Sequence, residues 1–100
     1  MLDERLYEII KRYKPIPQSK KFMEEAWELC ESIIGYEHKE DNREHIVEEL
    51  GDCYVLLRQI QLWYDISNEE INEVMEYKTN RTLERAGKSE WKRNNKRRIE

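Results

Sequence analysis

Six carboxylates in two short groups are the residues of this chain best placed to do chemistry. Glu24, Glu25 and Glu28 lie in MEEAWELC, and Glu48, Glu49 and Asp52 lie in EELGDCYVLL. Each group contains an i, i+3 pair, Glu25 with Glu28 and Glu49 with Asp52. On a helix such a pair shares one face, with Cβ atoms about 5–6 Å apart. The pairs sit on the shoulder of apolar patterns, beside Ala26 and Leu29 in one case and Leu50 and Cys53 in the other. Carboxylates at the edge of a core face repel one another and lose hydration unless a cation holds them. If the two helices pack antiparallel, four carboxylates converge, a hard oxygen donor set suited to Mg²⁺ or Mn²⁺. A di-iron carboxylate centre needs Glu-x-x-His pairs, and neither His38 nor His45 has a Glu three residues before it. The bland alternative is two solvated helix faces, because 22 acids in 100 residues produce such spacings by chance.

The elements that must position these groups read as helices. Leu2, Leu6, Ile9, Ile10 and Tyr13 have helical spacing over residues 2–13, and Pro15 and Pro17 stop that helix. Ser19 is the expected N-cap of a second helix, which carries Phe22, Ala26, Leu29, Cys30, Ile33 and Ile34 and ends at Gly35. Asp41 or Asn42 caps a third, with Asp41 and Glu44 at capping-box spacing. Its stripe runs Ile46, Leu50, Cys53, Leu57, Ile60, Tyr64, with Val47, Tyr54 and Val55 as a second edge. Ser67 and Glu70 form another capping box, which predicts a fourth helix from Asn68 towards Gly87. The expected fold is all-α, an antiparallel four-helix bundle-like protomer over residues 1–87, followed by a basic tail over 88–100. With 3 Gly and 2 Pro the chain has too few turn residues for an all-β fold.

Charge is distributed unevenly. Residues 1–77 hold 9 Lys and Arg against 19 Asp and Glu, net −10, whereas residues 78–100 hold 9 against 3, net +6. An acidic body with a basic end suits a metal site beside a phosphate-binding stretch. One small protomer leaves an acidic cleft open and a long apolar helix half covered, so a homodimer or homotetramer is expected to complete it. The chain shows neither a signal-peptide pattern nor an apolar run of spanning length, so the expectation is a cytoplasmic protein away from the membrane. Cys30 and Cys53 then read as reduced, buried structural thiols.

With EEAWE followed by EELGD, the chain resembles the MazG-like, all-α nucleoside triphosphate pyrophosphohydrolases, whose signature is E-E-x-x-E … E-x-x-D. The resemblance covers roughly residues 19–87. It implies that Glu25, Glu28, Glu49 and Asp52 bind Mg²⁺, with Glu24 as a catalytic helper. It also implies cleavage of the α–β phosphoanhydride of an NTP or dNTP, giving a nucleoside monophosphate and pyrophosphate. The likeness returns at Lys78, Arg81 and Arg85, which step along one helix face and would bind the triphosphate. The family pattern has an Asn directly after the second basic residue; this chain has Thr82 there, with Asn80 two places earlier. Lys21, one turn before Glu25, is a further phosphate candidate.

Other residues carry two readings each. His45 precedes Glu49 by one turn and could orient it, or could be an ordinary surface histidine of a charged helix. Trp27, Trp63, Tyr54 and Tyr77 could stack on a base, although aromatics at helical spacing more often fill cores. A competing function is a non-enzymatic helical module binding nucleic acid or a protein partner through Lys88–Arg98, with Trp91 as a stacking residue. Steeply salt-dependent nucleic-acid binding, lost on truncation at Gly87, would mark that case. A third is a fold relative that senses nucleotides without turnover, which titration of nucleotide and Mg²⁺ would reveal as binding without product.

Overall fold

The computed structural model describes the backbone of residues 1–99 and the side chains of residues 1–88. The chain is all-α, with helices α1 (Leu2–Arg12), α2 (Pro15–Glu37), α3 (Arg43–Trp63) and α4 (Asn68–Ile99) and no strand among the described residues. It divides into two compact units, one spanning Met1–Asp65 and one beginning at Ile66. None of the described helices is long and apolar enough to cross a membrane.

The prolines end α1 but do not delay α2. Tyr13 and Lys14 are extended, and α2 begins at once with Pro15 in its first turn. Proline is tolerated there because the N–H it lacks would have no helical partner anyway. Ser19 is therefore inside the helix rather than its N-cap, and its hydroxyl donates back to the Ile16 carbonyl at 2.8 Å. At the other end the helix passes through Gly35. Lys39 supplies the left-handed residue, with φ 63°, and the Glu40 N–H bonds the Gly35 carbonyl at 2.8 Å. Gly35 is used for close approach instead: a Cβ there would stand 3.0 Å from the Asp41 Cβ.

Asn42 caps α3, its Oδ1 accepting the His45 backbone N–H at 3.0 Å. Asp41 does not join Glu44 in a capping box; it accepts from the Asn42 N–H at 2.8 Å and from the His45 ring. Helices α2 and α3 run antiparallel. Gln18 meets Gln59 at one end, Glu25 lies beside Glu49 and Asp52 midway, and Gly35 meets Asp41 at the loop. α1 packs on α3 and is tied to it by Arg58, whose Nε and Nη2 donate to the two Asp3 carboxylate oxygens at 3.0 and 2.6 Å.

The core of this unit is small: Leu6 and Ile10 of α1 with Cys53 and Leu56 of α3. Three polar side chains share its burial, Ser32, Glu49 and Gln59. On α3 the buried positions are thus 49, 53, 56 and 59, rotated from the expected stripe. Leu50, Leu57 and Tyr64 of that stripe are exposed, as are Val47 and Tyr54. Cys53 is buried as expected, but Cys30 is exposed, as are Met23, Trp27 and Ile34 of the same helix.

α4 opens on the predicted capping box in both directions. Glu70 Oε2 accepts from the Ser67 N–H at 2.7 Å, and Ser67 Oγ accepts from the Glu70 N–H at 3.2 Å. The helix does not stop at Gly87 but continues to Ile99. A single glycine inside a helix costs about 1 kcal/mol relative to alanine. The Lys-, Arg- and Glu-containing stretch that follows has good helix propensity and no proline to end it. The expected basic arm from Lys88 to Arg98 is therefore helical in backbone, while the expected stacking role of Trp91 lies outside the described side chains.

Candidate metal centre

Antiparallel packing of α2 on α3 brings one carboxylate from α2 against two from α3. Oxygens of Glu25, Glu49 and Asp52 lie within 4.8 Å of one another. Glu49 is 8% exposed, and its Oε2 is buried with no hydrogen-bond partner; Glu25 Oε2 is in the same condition. A buried anionic oxygen without a donor is costly, and two facing a third carboxylate are more so. Desolvation first, then the charges of Glu28, Asp52 and Glu49, push the Glu25 carboxyl above its ordinary value, helped by a hydrogen bond with Glu28. The donor set is all carboxylate oxygen, suited to a hard divalent cation with water completing the shell. The residues fit such an ion because it would satisfy the two orphaned oxygens at once.

Of the four expected metal ligands, three converge. Glu28 stands beside Glu25 but outside the three-carboxylate group, in an exposed hollow of α2 lined with Met23, Glu24, Trp27 and Glu31. Glu24 is exposed in that hollow, apart from the cluster, and Glu48 is exposed as well. Cys53 is packed next to the cluster. Burial, and then the charges of Glu25, Glu49 and Asp52, hold its thiol above its ordinary value.

Two surroundings of the cluster matter. On one side an open cleft of about 550 Å³ runs between the helices, bounded by Glu25 and Asp52. Ile9, Tyr13, Val55 and Leu56 give it apolar walls, Lys21 a cation and Gln59 an amide. Gln59 is buried and accepts from Gln18 Nε2 at 2.6 Å. On the other side stands His45, whose Nδ1 meets Asp41 Oδ2 at 2.5 Å and whose Nε2 meets Glu49 Oε1 at 3.2 Å. The Asp41 hydrogen bond is the main cause that raises the His45 pKa, against partial desolvation, with the charges of Asp41 and Glu49 adding to it. Asp41 is lowered in turn, by His45 first and by the Asn42 N–H second.

Lys21 is thus in the cleft with Glu25 and Asp52. Lys78, Arg81 and Arg85 lie exposed on α4, in the second unit, at spacings that share one face of that helix. Thr82, which stands where the family pattern has Asn, donates its hydroxyl to the Lys78 carbonyl at 2.9 Å and so is committed to its own helix. The four aromatics considered for base stacking are not core: Trp27, Tyr54 and Tyr77 are exposed and Trp63 is at the edge of the α1–α3 contact. Reading the sequence alone missed the Gln18–Gln59 pair, which nothing local signals. The Asp41–His45–Glu49 chain did have a signal, three groups at i, i+4, i+8.

Comparison with known proteins finds no matching family model, no matching curated relative and no matching solved structure.

Proposed function

We propose that the protein is a divalent-cation-dependent nucleoside triphosphate pyrophosphohydrolase, with Glu25, Glu49 and Asp52 holding Mg²⁺ and Glu28 at hand beside Glu25. The observation that carries this reading is the pair of buried, unpartnered oxygens on Glu25 and Glu49 inside a three-carboxylate cluster. In the reaction water adds to phosphorus and the α–β anhydride P–O bond breaks, leaving a nucleoside monophosphate and pyrophosphate. A bound Mg²⁺ would supply neutralisation of the charge on the phosphate oxygens. The chain's own residues supply the rest. Lys21 offers a cation to a phosphate at the mouth of the cleft, and the apolar walls offer a dry surface for a base. At about 550 Å³ the cleft is within the ordinary range of ligand pockets, about 300–1,000 Å³. The resemblance also implies phosphate contacts by Lys78, Arg81 and Arg85 of α4. The resemblance of EEAWE and EELGD to the MazG-like signature agrees with this chemistry.

The test is a panel of NTPs and dNTPs with Mg²⁺, assayed separately for pyrophosphate and for phosphate. The expected result is pyrophosphate from at least one nucleotide. It should need the cation and fall by on the order of 100-fold or more in Glu49→Gln, since losing even an outer partner of a metal ligand costs about 10–100-fold. Phosphate as the only product, or full activity in Glu49→Gln, sinks the assignment. We also place the protein in a homodimer or homotetramer, because Val47, Leu50, Tyr54 and Leu57 form one exposed apolar face of α3. Sedimentation showing only monomer at micromolar concentration would remove that element.

A further inference from the structure

Glu49 is held at one oxygen and unpartnered at the other. Its Oε1 is 3.2 Å from His45 Nε2, while its Oε2 is buried and has no hydrogen-bond partner. The histidine is itself fixed from behind, since its Nδ1 meets Asp41 Oδ2 and its backbone N–H is bound by Asn42 Oδ1. Asp41 is fixed in turn by the Asn42 N–H and lies against Gly35 of α2, where a methyl group would crowd it. The sequence of contacts therefore runs from the α2–α3 loop, through an imidazole, to one oxygen of the most buried carboxylate of the cluster. A glutamate has three side-chain torsions to fix, and a partner on one oxygen restrains the orientation of the carboxylate plane and so the direction of the other oxygen.

We infer that His45 is a positioning residue: it holds Glu49 so that Oε2 is the oxygen offered to a divalent cation, and Asp41 holds His45 for that task. The inference rests on the reading of Glu25, Glu49 and Asp52 as a cation site and adds to it the device that pre-orients its most buried ligand. Carboxylate ligands that are hydrogen-bonded by a second residue bind more tightly, and losing that residue costs about 10–100-fold in metal affinity. A histidine with a purely architectural role in the first turn of α3 would contribute to stability and leave cation affinity alone.

The experiment measures Mn²⁺ binding, by titration with the metal alone and no nucleotide, together with thermal unfolding in excess chelator. His45→Leu removes both ring contacts and is expected to weaken Mn²⁺ binding by about 10–100-fold. His45→Gln keeps an N–H that can reach Glu49 and should lose less. Asp41→Asn leaves His45 in place on a weaker anchor and should weaken binding in the same direction by a smaller factor. If His45→Leu does not fold, the other two variants carry the comparison. Wild-type affinity in His45→Leu, or in both His45→Gln and Asp41→Asn, with only the chelated melting point lowered, overturns the positioning role. Glu49→Gln separates the two levels: if it too binds Mn²⁺ like wild type, or if wild type binds none, the cation site itself is wrong. Loss of binding in Glu49→Gln with retention in His45→Leu removes the inference about His45 and leaves the site standing.

Discussion

Helix α3 carries two groups where carboxylates meet a neighbouring helix, and the chain treats them in opposite ways. At Arg58 the carboxylate of Asp3 from α1 is met by a guanidinium, with two hydrogen bonds of 2.6 and 3.0 Å. At Glu49 and Asp52 the carboxylate of Glu25 from α2 is met by two more acids, and two of the oxygens have no partner. The physical consequences diverge in sign. Arg58, chiefly through its hydrogen bonds, lowers the Asp3 pKa, whereas desolvation and like charge raise that of Glu25. A sequence that can place an arginine across one helix contact could place one across the other. The second contact has no arginine across it: His45 meets only Glu49 Oε1, and the buried Oε2 atoms of Glu25 and Glu49 have no hydrogen-bond partner, the place a divalent cation would take on the proposed function.

The comparison breaks most sharply if added cation treats the two contacts alike. On the proposed function Mg²⁺ or Mn²⁺ binds only the folded cluster, and it should then raise the melting temperature of the wild type. At about 100 times the dissociation constant the linkage contributes about 2.7 kcal/mol. The shift should vanish in Glu49→Gln and persist in Asp3→Asn. A cation effect that survives Glu49→Gln would mean that the ion binds elsewhere.

How much of this was legible in the residues depends on whether the cause is local. The Ser67–Glu70 capping box is a three-residue relation, and both of its hydrogen bonds form as the sequence predicts. The i, i+3 spacing of Glu49 and Asp52 likewise guaranteed a shared face. What spacing could not decide was the rotation of α3. Apolar residues lie on several sides of the helix, and Cys53 of the expected stripe is buried together with Leu56, outside that stripe, while Leu50 and Leu57 are exposed. That rotation put Glu49 inside the core rather than on its shoulder. Glu28, which shares its helix face with Glu25, is outside the cluster. Contacts such as Asp3–Arg58 and Gln18–Gln59 join residues far apart in the chain, so no local pattern announces them. Pro15 and Gly35 misled for a different reason: each residue type permits two uses, and here Pro15 opens α2 as well as ending α1 while Gly35 lies inside α2 against Asp41.

A smaller effect is expected from pH. In excess chelator, Glu25 has a folded pKa above its unfolded value. Its contribution to stability is therefore full below the unfolded pKa and is lost as pH rises through the folded one. Glu25→Gln should accordingly melt higher than wild type at neutral pH without cation, and the difference should shrink as the pH is lowered towards about 4. With Mg²⁺ present the order should reverse, because the variant has lost a ligand. A wild type that outlasts Glu25→Gln in chelator at neutral pH would show that the cluster is satisfied without an ion.

The smallest effect belongs to the paired contact. The Asp3 pKa is lowered in the folded chain, so its contribution is present above the unfolded value and lost as pH falls through the folded one, below about pH 4. Asp3→Asn should therefore lower the melting temperature modestly at neutral pH, by the same amount with and without Mg²⁺, and converge with wild type in acid. Asp3 is partly exposed and its partner is a single arginine at the edge of the α1–α3 contact, so solvent screens the pair and the loss stays modest. Independence from the cation is the informative part. Asp3 meets α3 at Arg58, about two and a half turns from Glu49 on the same helix and in the same small unit, and a general ionic effect would move both. A cation response confined to Glu49 and its neighbours separates a built site from a merely acidic surface.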